Sequence, residues 1–257
     1  MQRRAGPLTA EIIQGEGGKF TAPLILVHGL WSDARVWRRC IGFLAHRGWT
    51  SIAVNLRGHD GSPPATGVEQ HLSDLEQVVA TLEARPVVVG HDLGGLLALH
   101  LTDVRAVVAL APLVPLPLAT SATPALQRAG SALSRWRGQP LAPPRGAWRG
   151  EYAEEHVLEP AAVVRDLTGK PWMPPALPAD LPALVLAGDR DRVVGSDAAA
   201  KLADAVGAEV HFCAGTGHAM LTDSGWEERV STVHRWLIRK LGAPLLALYE
   251  EAMNPEE

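Results

Sequence analysis

Short, nearly unbroken apolar runs alternate along the chain with stretches whose apolar positions recur every three or four residues. Leu24-Ile25-Leu26-Val27, Ser51-Ile52-Ala53-Val54, Val87-Val88-Val89 and residues 104–110 are of the first kind, as are Leu184-Val185-Leu186-Ala187 and residues 209–212. Residues 33–47, 68–83, 93–102, 197–206 and 226–240 are of the second kind, with a further short helix expected over 245–253. Apolar runs too short for a helix predict strands covered on both faces. Such strands alternating with amphipathic helices predict an α/β fold with a mostly parallel, doubly wound sheet. Leu24 opens the first clear strand.

The rhythm breaks at Pro112. From 112 to 181 the chain is rich in proline, tryptophan and arginine. An inserted cap is expected there, with short helices over 124–135 and 159–167. The core is then built from 1–111 and 182–257. Trp136, Trp148 and Trp172 argue for an ordered cap, because disordered segments are poor in aromatics.

Composition narrows the function. A chain of 257 residues, 47% apolar and 20% charged, suits one domain with a modest insertion. A net charge of −4 gives no electrostatic footprint for nucleic acid or an anionic membrane. No run approaches the roughly 18 apolar residues of a membrane span. Arg3 and Arg4 are not followed by an apolar stretch, so no secretory signal is expected and a cytoplasmic location is. Cys40 and Cys213 lie far apart without metal-ligand spacing, which predicts two buried thiols and no metal. No cofactor is expected, the expected partner is a small-molecule substrate, and no feature specifies an oligomeric state.

The chemistry centres on Gly90-His91-Asp92-Leu93-Gly94-Gly95, directly after Val87-Val88-Val89 and before an apolar helix. Gly-x-Asp-x-Gly at such a junction has the spacing of a nucleophile elbow. Small residues flank a tight turn, and one side chain is presented at the end of the sheet. A helix N-terminus favours an anion at that point. The plainer alternative is that Asp92 caps its helix. Val27-His28-Gly29-Leu30-Trp31 ends an earlier strand, where the backbone N–H groups of Leu30 and Leu93 can converge on a developing oxyanion. Gly188-Asp189-Arg190-Asp191 offers two carboxylates, either of which can orient an imidazole. Gly215-Thr216-Gly217-His218 follows the last strand and offers His218 as a general base. The order nucleophile, acid, histidine is that of one hydrolase class.

These motifs, with Arg57-Gly58-His59-Asp60-Gly61-Ser62, resemble the α/β-hydrolase superfamily from about residue 22 to 241. The resemblance implies that the acid is Asp191, at the last position of Gly-x-x-Asp, and that 57–62 is mainly structural. Aspartate in place of serine resembles the branch that holds epoxide hydrolases and dehalogenases. A carboxylate attacks a saturated carbon well and an ester carbonyl poorly, because the latter yields an anhydride. Neither subtype matches fully. Epoxide hydrolases use two cap tyrosines, whereas this cap holds Tyr152 alone. Dehalogenases place tryptophan after the nucleophile, where Leu93 stands here, and a second donor where Leu30 stands. Trp31, Tyr152, Trp136, Trp148 and Trp172 are the candidates for the substrate pocket, and Arg35 and Arg38 are read as surface residues. The favoured expectation is an epoxide hydrolase-like enzyme with an Asp92–His218–Asp191 triad. A haloalkane or haloacid dehalogenase, an ester or lactone hydrolase using Asp92 as a base, and a non-catalytic ligand-binding protein stay open.

Overall fold

Among the described residues one eight-stranded sheet organises the fold, in the order β1-β2-β4-β3-β5-β6-β7-β8. The computed structural model describes residues 3–116, 118, 129, 134, 136–144 and 157–253, with side chains described as far as residue 242. The strands are β1 (Arg3–Ala5), β2 (Leu8–Ile13), β3 (Leu24–Val27), β4 (Ser51–Asn55), β5 (Val87–His91), β6 (Ala106–Leu110), β7 (Ala183–Gly188) and β8 (Glu209–Cys213). The pairs from β4 through β8 are parallel; β1 with β2 and β2 with β4 are antiparallel.

The unbroken apolar runs make sense once both faces are considered. Successive strand residues point to opposite faces. In β3, Ile25 and Val27 pack into one core layer, and Leu24 and Leu26 into the other. The first layer is closed by α2 (Val68–Ala80), α3 (Leu93–Ala98), α4 (Ala161–Gly169) and α5 (Ser196–Val206). The second is closed by α1 (Arg38–His46) and α6 (Trp226–Met253). Each fully buried Val, Leu or Ile contributes on the order of 1.5–3 kcal/mol. Cys40 and Cys213 are buried free thiols, and burial pushes the Cys40 thiol up to about 12.

Three elements depart from the sequence reading. The sheet begins at Arg3 rather than Leu24: β1 and β2 form a hairpin around Gly6, at φ 55, that adds an antiparallel edge. An edge hairpin needs no continuous apolar run, and two arginines in three residues conceal β1. The helix expected over 33–47 is a 3-10 turn, Ala34–Trp37, joined to α1, with the Asp33 carboxylate capping the Arg35 N–H at 2.9 Å. The two helices expected after residue 226 are one, running through Gly242 and Pro244 to Met253. The helix expected over 159–167 starts after Pro160 as α4. The one expected over 124–135 falls almost wholly outside the described residues. Among the described residues no helix is long and apolar enough to cross a membrane.

The chain reverses its direction of travel across the sheet at β3. It runs from β3 outward to β4, then back past β3 to β5. Ligands of open α/β sheets sit at such a switch point, beyond the carboxyl ends of the strands. Val27-His28-Gly29-Leu30 and His91-Asp92-Leu93 are the two exits there. Their approach depends on glycine. A Cβ on Gly94 would strike the Val27 carbonyl oxygen and lie 2.6 Å from that of His28, both backbone atoms. Gly94→Ala should therefore cost about 3 kcal/mol in urea unfolding. Gly169→Ala, where nothing lies within 4 Å, should be neutral or slightly stabilising.

Candidate active site

Asp92 sits at φ 53, ψ −117, between β5 and α3, a conformation that L-residues rarely adopt. The backbone around it holds it there. Asp92 N–H donates to Leu110 O at 3.0 Å, and Asp92 O accepts from Leu113 N–H at 2.9 Å and Leu96 N–H at 3.1 Å. A side chain on Gly90 would fall onto the Gly94 carbonyl, so the elbow closes only with glycine there.

The carboxylate of Asp92 is completely buried, and its two oxygens have different surroundings. Oδ2 accepts the Leu30 N–H at 2.8 Å. Oδ1 accepts no hydrogen bond among the described residues and lies 3.7 Å from His218 Nε2. Gly29 makes room for this arrangement, since a Cβ there would come within 2.7 Å of Oδ2. His28 ties the loop to its neighbour. Its Nδ1–H donates to Gly29 O at 2.8 Å and its Nε2 accepts the Leu56 N–H at 3.0 Å. Burial, aided by the nearby His59, pushes the His28 pKa down to about 3, which suits that neutral form.

His218 is equally buried. Its Nδ1–H donates to Asp191 Oδ2 at 2.8 Å. Burial alone would lower its pKa; Asp191 first, then Asp92, outweigh burial and raise it to about 10. Asp191 is itself fixed, its Oδ1 accepting Val193 N–H at 2.8 Å and Val194 N–H at 2.9 Å. Asp189 serves elsewhere, its Oδ1 accepting Thr216 N–H at 3.2 Å and holding the histidine loop. The two carboxylates left open by the sequence are thus distinguished by their partners. Asp191→Asn should lower kcat about 1,000-fold or more by disturbing the imidazole's tautomer and orientation. Asp189→Asn, whose amide oxygen still accepts the Thr216 N–H, should cost less than about tenfold, both read from steady-state kinetics.

Two residues the sequence does not single out brace the same loop. His91 Nε2–H donates to His218 O at 2.8 Å, and burial, with the His218 charge beside it, pushes the His91 pKa down to about 4. Arg229 reaches from α6 to Met220 O at 2.9 Å and Thr216 Oγ1 at 3.3 Å, and pairs with Asp223. Glu159, which the sequence marks only as a helix start, is 1% exposed and accepts the Trp31 N–H at 2.9 Å. A carboxylate whose partners, Trp31 and His59, lie far from it in sequence carries no local signal of its burial.

The structure therefore brings Asp92, Leu30, His218 and Asp191 together, with Leu93 next in chain to Asp92. The tryptophans expected to wall the pocket are more scattered. Trp31 is buried and donates its indole N–H to Leu141 O at 2.9 Å. Trp172 is half-buried and donates to Asp166 O at 3.3 Å. Trp136 stands 81% exposed, at the surface rather than on a pocket wall. Trp148 and Tyr152 lie outside the described residues. Among the described residues no group of three or more His, Cys, Asp or Glu could hold a metal ion.

Comparison with known proteins identifies the family and the fold. The alpha/beta hydrolase family matches residues 24–232. A 175-residue stretch is 30% identical to epoxide hydrolase A of Mycobacterium tuberculosis, covering 61% of this chain and 47% of that protein. An 88-residue stretch is 33% identical to epoxide hydrolase 3 of Xenopus tropicalis, covering 32% of this chain and 24% of that protein. The matches thus span half or less of these curated relatives. Among solved structures, the monoacylglycerol lipase of Paleococcus ferrophilus superposes with a TM-score of 0.67 at 20% identity, over 91% of this chain and 99% of that one. A thermophilic esterase of Thermogutta terrifontis gives 0.66 at 16% identity, over 93% and 99%. Such low identities speak for the shared fold alone.

Proposed function

This chain belongs to the alpha/beta hydrolase family, and we propose that it hydrolyses a small apolar epoxide through a covalent ester on Asp92. The observation that carries this reading is the division of labour between the two oxygens of Asp92. Oδ2 rests on the Leu30 N–H, where an oxyanion hole is needed, and Oδ1 accepts no hydrogen bond among the described residues and lies 3.7 Å from His218 Nε2. Oδ1 attacks an epoxide carbon, the ring C–O bond breaks, and its electron pair leaves on oxygen as an alkoxide. The ester carbonyl is then Oδ2, already in the hole. His218 takes a proton from water, the water oxygen adds to the carboxyl carbon, and Oδ2 becomes the oxyanion held by Leu30 and Leu93. Collapse breaks the bond between the carboxyl carbon and Oδ1. Oδ1 leaves with the diol, taking the proton from the His218 imidazolium, and the new carboxylic acid returns a proton to His218 as the carboxylate is restored.

The electrostatics of His218 favour an epoxide over a halide. Its pKa, raised to about 10, makes it an imidazolium in the resting site at neutral pH. Ester formation removes the Asp92 charge, one of the two influences that hold that proton. The alkoxide accepts it, directly or through Tyr152, and leaves His218 neutral for the second step. A departing halide needs no proton, and the Trp31 indole N–H, the candidate donor to a halide, serves Leu141 instead. The reading in which Asp92 is a base for ester cleavage fits less well, because Oδ2 occupies the place of a substrate oxyanion. The epoxide hydrolase relatives point the same way.

A panel of styrene oxide, a 1-bromoalkane and a p-nitrophenyl ester tests the proposal. Turnover of the epoxide to the diol is expected. Turnover of the ester with no reaction at either saturated carbon would overturn it.

A further inference from the structure

The chain leaves β6 and returns to β7 by a long excursion, and the two limbs of that excursion close on one residue. Leu141 and Glu159 pair across the neck as an antiparallel bridge, with Leu141 N–H to Glu159 O at 2.7 Å and Glu159 N–H to Leu141 O at 2.9 Å. Three more bonds run from this neck to Trp31. Its indole N–H donates to Leu141 O at 2.9 Å, its carbonyl accepts the Val157 N–H at 3.0 Å, and its backbone N–H donates to Glu159 Oε2 at 2.9 Å. Trp31 stands at φ 54, in the left-handed region where a bulky residue stays only when its surroundings hold it.

The last of these bonds bears on the chemistry. The Trp31 N–H belongs to the planar peptide that follows Leu30, and the N–H of Leu30 holds Asp92 Oδ2. His28 ties the loop that leaves β3 on one side of Leu30, and Glu159 holds this peptide on the other, which together restrict the direction of the Leu30 N–H. The acceptor that fixes the peptide is a carboxylate at 1% exposure, with Oε1 accepting nothing among the described residues. A staple between two loops could be made more cheaply from apolar groups, because a buried charge must be compensated. Here the compensation comes from the Trp31 N–H and from His59, whose Nε2 lies 3.5 Å from Oε2 and whose Nδ1–H donates to Arg57 O at 3.2 Å. A charge-assisted bond holds the loop more firmly than a neutral one.

We infer that Glu159 is a positioning residue for the oxyanion hole, acting through Trp31 to hold the Leu30 N–H on Asp92 Oδ2, and so governs ester hydrolysis rather than ester formation. The inference rests on the alkyl-enzyme reading above. In ester formation Asp92 loses charge, so the hole has less to stabilise as the reaction proceeds. In ester hydrolysis Oδ2 gains a full negative charge, and a well-aimed donor counts most there.

The test follows both half-reactions in the full-length protein with styrene oxide, by quenched-flow intact mass. Glu159→Ala should form the Asp92 adduct within about threefold of the wild-type rate and hydrolyse it roughly 10–100-fold more slowly, so that adduct accumulates in steady state. Glu159→Gln, whose amide oxygen can still accept the Trp31 N–H, should restore most of the hydrolysis rate. If Glu159→Ala does not fold, Glu159→Asp keeps the charge, withdraws the acceptor by one methylene and should show the same imbalance. Hydrolysis at the wild-type rate in whichever of these two variants folds would overturn the inference. So would loss of adduct formation in both Ala and Gln variants, which would make Glu159 a proton donor. Absence of any adduct, even on His218→Ala, would instead refute the alkyl-enzyme reading beneath it.

Discussion

Asp92→Asn should lower kcat/KM for an epoxide by about 10,000-fold or more and leave the fold intact. The loss is large because the amide has no carboxylate oxygen with which to attack carbon, and no other described side chain is placed to replace it. The fold should survive for three reasons visible at the elbow. Asparagine has the same size and shape as aspartate, so it meets the same backbone strain at φ 53, ψ −117 and adds none. Its amide oxygen can keep the Leu30 N–H bond that Oδ2 now makes at 2.8 Å. The backbone bonds of residue 92 to Leu110, Leu113 and Leu96 are independent of the side chain. Steady-state kinetics with thermal unfolding as the control checks both halves. A variant that keeps more than about a tenth of wild-type turnover would remove Asp92 from the chemistry.

His218→Ala should react once and stop. Asp92 Oδ1 is still present, so ester can form, although without the imidazolium the alkoxide waits on another donor. The second step loses its base and should slow by about 1,000-fold or more. Intact mass should show one substrate equivalent per chain, located on the peptide that carries Asp92. The same variant has a pH signature. The pKa of His218 is about 10 in the folded protein against 6.5 in the unfolded chain. A raised folded pKa means that the imidazole's contribution to stability is fully present below about pH 6.5 and is lost as pH rises through about 10. The stability advantage of the wild type over His218→Ala should therefore shrink between about pH 6.5 and about pH 10.5 in urea titrations. An advantage that grows over that interval would contradict the charged triad.

The elements that bear the site were legible because they obey strong, local rules. Buried on both faces, β3, β5, β6 and β7 read as apolar runs, and the elbow and the histidine loop announce themselves by glycine spacing at strand ends. The β1–β2 hairpin was hidden because an edge pair with Arg3 and Arg4 obeys neither the apolar nor the helical pattern. The choice between Asp189 and Asp191 came from resemblance; only the tertiary partners separate them, Thr216 N–H for one and the His218 ring for the other. Glu159 was invisible for a different reason. Its burial depends on Trp31 and His59 arriving from the loops that follow β3 and β4, and nothing in the residues beside it requires that. The tryptophans of the excursion show the converse: their number is legible, but which of them turn inward is decided by packing, and Trp136 does not.

The central claim is that Asp92 is a nucleophile whose attacking oxygen leaves with the product. A single turnover of styrene oxide with enzyme in excess, in water enriched in 18O, tests it most directly. The covalent route predicts one 18O atom in the carboxylate of Asp92, found by mass spectrometry of its peptide, and an unlabelled diol from that first turnover. Label in the diol with none in Asp92 would mean that water attacks the substrate directly, and would contradict the account.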